Sequence, residues 1–83
     1  MTQGEIEERV REVLAEQLAC DVDRVTMDAR FDQDLNADSL DMVEAVLALE
    51  EELGVSIPEK EIEGVETVRQ AVDLVTAKLA ANA

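Results

Sequence analysis

An 83-residue chain with 21 acidic and 7 basic residues carries a net charge of −14, so it repels nucleic-acid phosphates and anionic membranes and suits basic protein partners. The length fits one small domain over residues 1–83, which leaves little room for a deep enzyme active site. Hydrophobic residues make up 47% of the chain but aromatics only 1%, so its core is built from Val, Leu, Ile, Ala and Met.

The first helix is expected from about Gln3 to about Ala19. Ile6, Val10, Val13, Leu14 and Leu18 follow one helical face, and Thr2 with Glu5 has the spacing of a capping box. Residues 20–37 then lose the helical period. Val22, Val25, Met27 and Phe31 are scattered there as anchors, and Phe31, the one aromatic, is expected to pin the loop to the core. Connections beyond roughly 12–15 residues are commonly functional, which gives weight to the segment this loop delivers.

A second helix is expected from about Ser39 to Leu53, closed by Gly54, which adopts a left-handed cap without steric cost. Pro58 falls near the first position of a short helix that Gly64 ends. A last helix begins at about Thr67, where Thr67 and Gln70 repeat the capping-box spacing, and buries Val68, Ala71, Val72, Val75 and Leu79. The tail Ala80 to Ala83 is expected to fray. The fold class is therefore all-α: a small bundle of three main helices and one short helix, with a long first loop.

No apolar run approaches the roughly 18 residues of a membrane span, and the acidic start lacks the basic and apolar stretches of a signal peptide. Cys20 is the single cysteine and cannot form an internal disulfide. A soluble, cytoplasmic monomer is the expectation.

The segment Asp34-Leu35-Asn36-Ala37-Asp38-Ser39-Leu40-Asp41 sets a serine between two acids where a helical pattern starts. Such a serine is most simply a helix cap. Nucleophilic catalysis by Ser39 is disfavoured, because the chain has no histidine and neither Lys60 nor Lys78 is marked by a pattern as a substitute base. A phosphodiester on Ser39 would sit where free N–H groups and the positive helix end favour phosphate, although Asp38 and Asp41 oppose it. Asp32, Asp34, Asn36 and Asp38 alternate like the first ligands of a calcium loop. That pattern fails at Ala37, where glycine is needed, and at Val43, where the bidentate glutamate belongs, so no specific metal site is assigned. Weak, exchangeable divalent binding by clustered carboxylates stays open.

Between Arg30 and Lys60 there is no basic residue, while Asp32, Asp34, Asp38, Asp41, Glu44, Glu50, Glu51, Glu52 and Glu59 all lie there. A solvated helix face tends to mix signs. A one-signed face instead steers basic partners at a salt-dependent rate. Whether Leu40, Val43 and Leu47 belong to the core or to the surface is not decided by their spacing.

These residues resemble acyl carrier proteins of the dissociated fatty-acid-synthesis type. The resemblance rests on Val25-Thr26, Ala29, Phe31, the segment 34–41, Glu44, Ala48-Leu49-Glu50-Glu51-Glu52, Ile57-Pro58 and Thr67-Val68. It implies a non-catalytic carrier. Ser39 would receive 4'-phosphopantetheine from coenzyme A through a separate phosphopantetheinyl transferase, with Asp38 and Leu40 flanking the attachment point, and acyl chains would be carried as thioesters. It further implies that Asp38, Asp41, Glu44, Glu50 and Glu51 meet Arg and Lys on each enzyme, that Leu40, Val43 and Leu47 add apolar contact, and that Glu59 and Glu63 extend the surface. The chain departs from the common family pattern at Asn36, where glycine is usual and where Asn tolerates the left-handed conformation, and at Leu74, where many relatives carry Tyr. A discrete polyketide-synthase carrier would share the site and differ mainly in partners. Outside carriers, the alternative is an acidic helical adaptor or ion-binding module in which Ser39 only caps a helix.

Overall fold

Thr2 caps α1 (Gln3–Gln17) in the computed structural model, which describes residues 1–81. Its hydroxyl accepts the Glu5 N–H at 3.2 Å, and the Glu5 carboxylate accepts the Thr2 N–H at 3.0 Å. Two of the donors that every helix start leaves free are thereby satisfied. The helix closes earlier than its apolar spacing suggests. Ala19 turns into the left-handed region (φ 54°), and the Cys20 N–H reaches back to the Ala15 carbonyl at 3.0 Å.

The long connection contains a single 3-10 turn, Val22–Arg24, which the absence of a helical period had not suggested. Arg11 of α1 holds the loop by donating from Nε to the Val25 carbonyl at 2.6 Å and from Nη2 to the Val22 carbonyl at 3.1 Å. Val25, Ala29 and Phe31 are buried, so Phe31 anchors the loop as its apolar character implies, whereas Val22 stays exposed. Beyond these anchors the loop pairs with a distant segment. The Phe31 N–H donates to Glu66 O at 3.0 Å, the Val68 N–H to Ala29 O at 3.0 Å and the Arg69 N–H to Met27 O at 2.9 Å, around an antiparallel bridge between Arg30 and Thr67.

The second helix, α2 (Ser39–Leu53), has the bounds its sequence predicts and ends on Gly54 at φ 65°. The short α3 (Glu59–Ile62) follows, with Pro58 as the flanking residue ahead of it rather than its first helical one; Gly64 lies two residues past its end. The last helix, α4 (Val68–Ala81), is preceded by Thr67, whose Oγ1 accepts the Gln70 N–H at 3.3 Å while Gln70 Oε1 accepts the Thr67 N–H at 3.0 Å. Ala80 and Ala81, expected to fray, are helical; the remaining residues of that tail, 82 and 83, lie outside the described residues.

The architecture is the expected all-α bundle, with α1 packed against both α2 and α4. Val10, Leu14, Val25, Val68, Val72 and Val75 are fully enclosed, each contributing about 1.5–3 kcal/mol by leaving water. Leu18 and Leu79, assigned to the core from their spacing, are only partly buried at its margin, as is Cys20. Among the described residues, no helix is long and apolar enough to cross a membrane.

Candidate functional site: an uncapped serine beside a cleft

Asn36 delivers the chain to the site. It adopts φ 55°, and the reversal lets the Ala37 N–H bond to the Phe31 carbonyl at 2.7 Å, which fixes residue 37 against the buried aromatic anchor. The next residue, Asp38, is extended and caps α2: its Oδ1 accepts the Asp41 N–H at 2.8 Å, and Asp41 Oδ2 accepts the Asp38 N–H at 3.2 Å. This corrects the simplest sequence reading of Ser39, which takes it as the cap. A cap must be extended and precede the first helical residue, and Asp38 meets both conditions while Ser39 is already the first residue of the helix. The signal was present in the chain as Asp-x-x-Asp, a capping box in which both side chains are aspartates.

The consequence for Ser39 is chemical. Its side chain is exposed, and among the described residues no hydrogen bond holds its hydroxyl. The N–H groups of Ser39 and Leu40, at the start of the helix, have no intrahelical acceptor. Ser39 also borders a cleft of about 220 Å³ walled by Arg30, Phe31, Asp38, Met42, Val65 and Glu66. Phe31, Met42 and Val65 at the same time line a small apolar cavity of about 20 Å³ between the helices, so cleft and core share a wall.

The exposed face of α2 resolves the ambiguity over its apolar residues. Leu40, Val43 and Leu47 are 65%, 54% and 56% exposed, so none is core. At 3.6 residues per turn they share one stripe with Glu44 and Glu51, both exposed, while Met42, Ala45, Val46, Leu49 and Leu53 turn to the bundle. Glu59 and Glu63 are exposed in and beside α3. Glu50, like Asp41, is half-buried, but its carboxylate reaches beyond the helix and accepts the Ile57 N–H at 2.8 Å. Glu52 pairs with Arg9 at 3.1 Å.

The carboxylates of the calcium-loop-like segment serve the backbone. Asp34 Oδ2 accepts the Arg30 N–H and Asp32 Oδ1 the Gln33 N–H, both at 2.8 Å. Among the described residues, no three acidic, Cys or His side chains converge to hold a metal ion.

The sequence pattern of a known family covers this arrangement. Residues 8–75 match the family described as the phosphopantetheine attachment site. Over 81 residues the chain is 49% identical to an acyl carrier protein of Thermosynechococcus vestitus, covering 98% of this chain and 100% of that protein. An acyl carrier protein of Petrotoga mobilis is 46% identical over 79 residues, or 95% and 93% of the two chains. The chain belongs to the phosphopantetheine attachment-site family.

Proposed function

We propose that Ser39 is the attachment point of 4'-phosphopantetheine, that a phosphopantetheinyl transferase installs it from coenzyme A, and that the loaded chain shuttles acyl groups among fatty-acid-synthesis enzymes. The bound arm supplies a terminal thiol on which an acyl group is held as a thioester. The chain itself acts as a carrier: it positions the arm and presents itself to enzymes that do the chemistry. One observation carries this reading. Asp38 performs the capping, which leaves the Ser39 hydroxyl exposed and uncommitted at a helix start beside a cleft.

Recognition is assigned to the outer stripe of α2. Leu40, Val43 and Leu47 would be an unusual expense on a surface of pure solvation, and with Glu44 and Glu51 alongside, and Asp38 and Asp41 at the helix start, they suit basic enzyme surfaces with an apolar centre. Glu59 extends the acidic rim. The half-buried Glu50 acts mainly inward, on Ile57. Sheltering of the acyl group is supported by the wall shared between the Ser39 cleft and the apolar cavity. At about 20 Å³ that cavity must widen to admit a chain, which requires the helices to separate.

Mass spectrometry tests the proposal. After incubation with coenzyme A, magnesium and a phosphopantetheinyl transferase, the folded chain should gain one phosphopantetheine group, and Ser39→Ala should gain none. An unmodified hydroxyl on folded wild-type material would overturn it.

A further inference from the structure

Arg30 is the one basic residue among the described residues that wall the Ser39 cleft, and its guanidinium is poorly engaged. The Nε atom is buried and has no hydrogen-bond partner, although the side chain as a whole is 38% exposed; its nearest anion, Asp32 Oδ1, stands at 3.7 Å. Nη2 approaches Glu66 Oε2 at 3.5 Å, the outer limit of a hydrogen bond. Each of the other four arginines makes a shorter bond: Arg9 meets Glu52 at 3.1 Å, Arg69 meets Asp28 at 3.1 Å, Arg24 reaches the Asp34 carbonyl at 3.2 Å, and Arg11 reaches the Val25 carbonyl at 2.6 Å. A buried donor without an acceptor is costly, so such an atom marks a place where an acceptor belongs.

The backbone holds this residue on the wall of the cleft that Ser39 borders. Residues 30 and 31 are locked by the bridge to Thr67 and by the Phe31–Glu66 bond, and the Ala37 N–H closes onto the Phe31 carbonyl, so Arg30 and Ser39 border the same cleft on rigid supports. A phosphodiester at Ser39 would enter between the carboxylates of Asp38 and Asp41 and would need a cation. Guanidinium suits it, because its planar fork matches two phosphate oxygens. Asp32 and Glu66 can release Arg30 at little cost, since their side chains are 67% and 64% exposed and solvent replaces the lost partner.

We propose that Arg30 is a positioning residue for the prosthetic arm: its guanidinium exchanges the loose contacts to Asp32 and Glu66 for the phosphodiester on Ser39, and so holds the root of the arm in the cleft. This inference rests on Ser39 being the attachment point. It specifies a non-covalent contact, in which no bond to Arg30 forms.

The test compares apo and loaded protein by NMR, with loading verified by mass. In the wild type, the Arg30 Nε–H resonance should shift on loading and its exchange with solvent should slow at least threefold. The ³¹P line of the loaded chain should be broad, as for a group fixed to the protein, and Arg30→Gln should narrow it about twofold and move its shift, with Arg30→Lys in between. An Nε–H signal that is the same in apo and loaded wild type overturns the inference without recourse to any variant, as does a ³¹P line unchanged by either substitution in folded, loaded protein. Failure of loading would remove the attachment proposal together with this one; a loaded chain with unaltered signals removes this one alone.

Discussion

The Glu50 carboxylate accepts the backbone N–H of Ile57 at 2.8 Å, tying the last turn of α2 to the buried segment that follows it. The Glu50 main-chain carbonyl also receives the Gly54 and Val55 N–H groups, at 2.9 and 3.2 Å, so this residue closes the helix with its backbone and holds the outgoing chain with its side chain. Val55 and Ile57 are buried beside it, and a freed Ile57 N–H would have no easy route to water. Glu50→Ala is therefore expected to lower unfolding free energy by about 1.5–3 kcal/mol in urea titrations, as for a bond to a charged acceptor, with Glu50→Gln milder because it keeps an oxygen there. Equal stability of wild type and Glu50→Ala would return Glu50 to the partner face.

Substitutions at the start of α2 separate folding from modification. Ser39→Ala should abolish loading yet change stability by less than about 0.5 kcal/mol, because Ser39 neither caps nor packs. Asp38→Ala should cost about 1 kcal/mol by removing the true cap. Thermal melts of the two variants beside the wild type give the comparison, and the reverse order of damage would make Ser39 the cap after all.

Charge reversal on the outer stripe should act through position as well as total charge. Glu44→Lys is expected to slow transferase loading several-fold at low salt, and Glu5→Lys, on the first turn of α1, to do much less, although both change net charge equally. Asp41→Lys should slow loading too; Asp41→Lys and Glu5→Lys each break a capping box, so the stability of both must be measured alongside. The difference between Glu44→Lys and Glu5→Lys should shrink as salt screens the face. Equal rates for these two variants would mean that only overall charge matters.

Ala19 carries a left-handed backbone at φ 54°, which costs an L-residue with a Cβ roughly 1–2 kcal/mol. The turn also receives the Cys20 N–H at Ala15, so the conformation is held by the helix end itself. Ala19→Gly should raise stability by about 0.5–1 kcal/mol, since relief of strain exceeds the extra freedom gained by the unfolded chain. A lower denaturation midpoint for this variant would refute the assignment.

The Thr2 backbone N–H, and then the Thr2 hydroxyl, hold the Glu5 carboxyl below its ordinary value of 4.5. The lowered value means the folded state favours the ionised form. The capping box thus supports α1 fully above the unfolded value and loses that support as pH falls through the lower, folded one. The Thr2 and Glu5 amide resonances should report this opening below the ordinary glutamate range, and in Glu5→Gln that pH dependence should disappear.

What the chain determined by itself is what lies within a few residues along it. Thr2 with Glu5 and Thr67 with Gln70 are partners three apart, and the left-handed conformations at Asn36 and Gly54 are permitted by a short polar side chain at the first and by the absence of a Cβ at the second, so these helix starts and the limits of α2 follow from local chemistry. The Asp38–Asp41 box is equally local, although the serine beside it is a residue type that itself commonly caps helices. Tertiary structure alone decided which side chains face the solvent and which distant atoms meet. The spacing of Leu40, Val43 and Leu47 suits a core as well as a surface, and only the packing of α2 on α1 leaves that stripe outside. Arg30 and Thr67, 37 positions apart, are joined through backbone groups that carry no residue signature. Glu50 turns inward because a folded chain brings an otherwise unpaired N–H to it, a demand that arises only once the loop is buried.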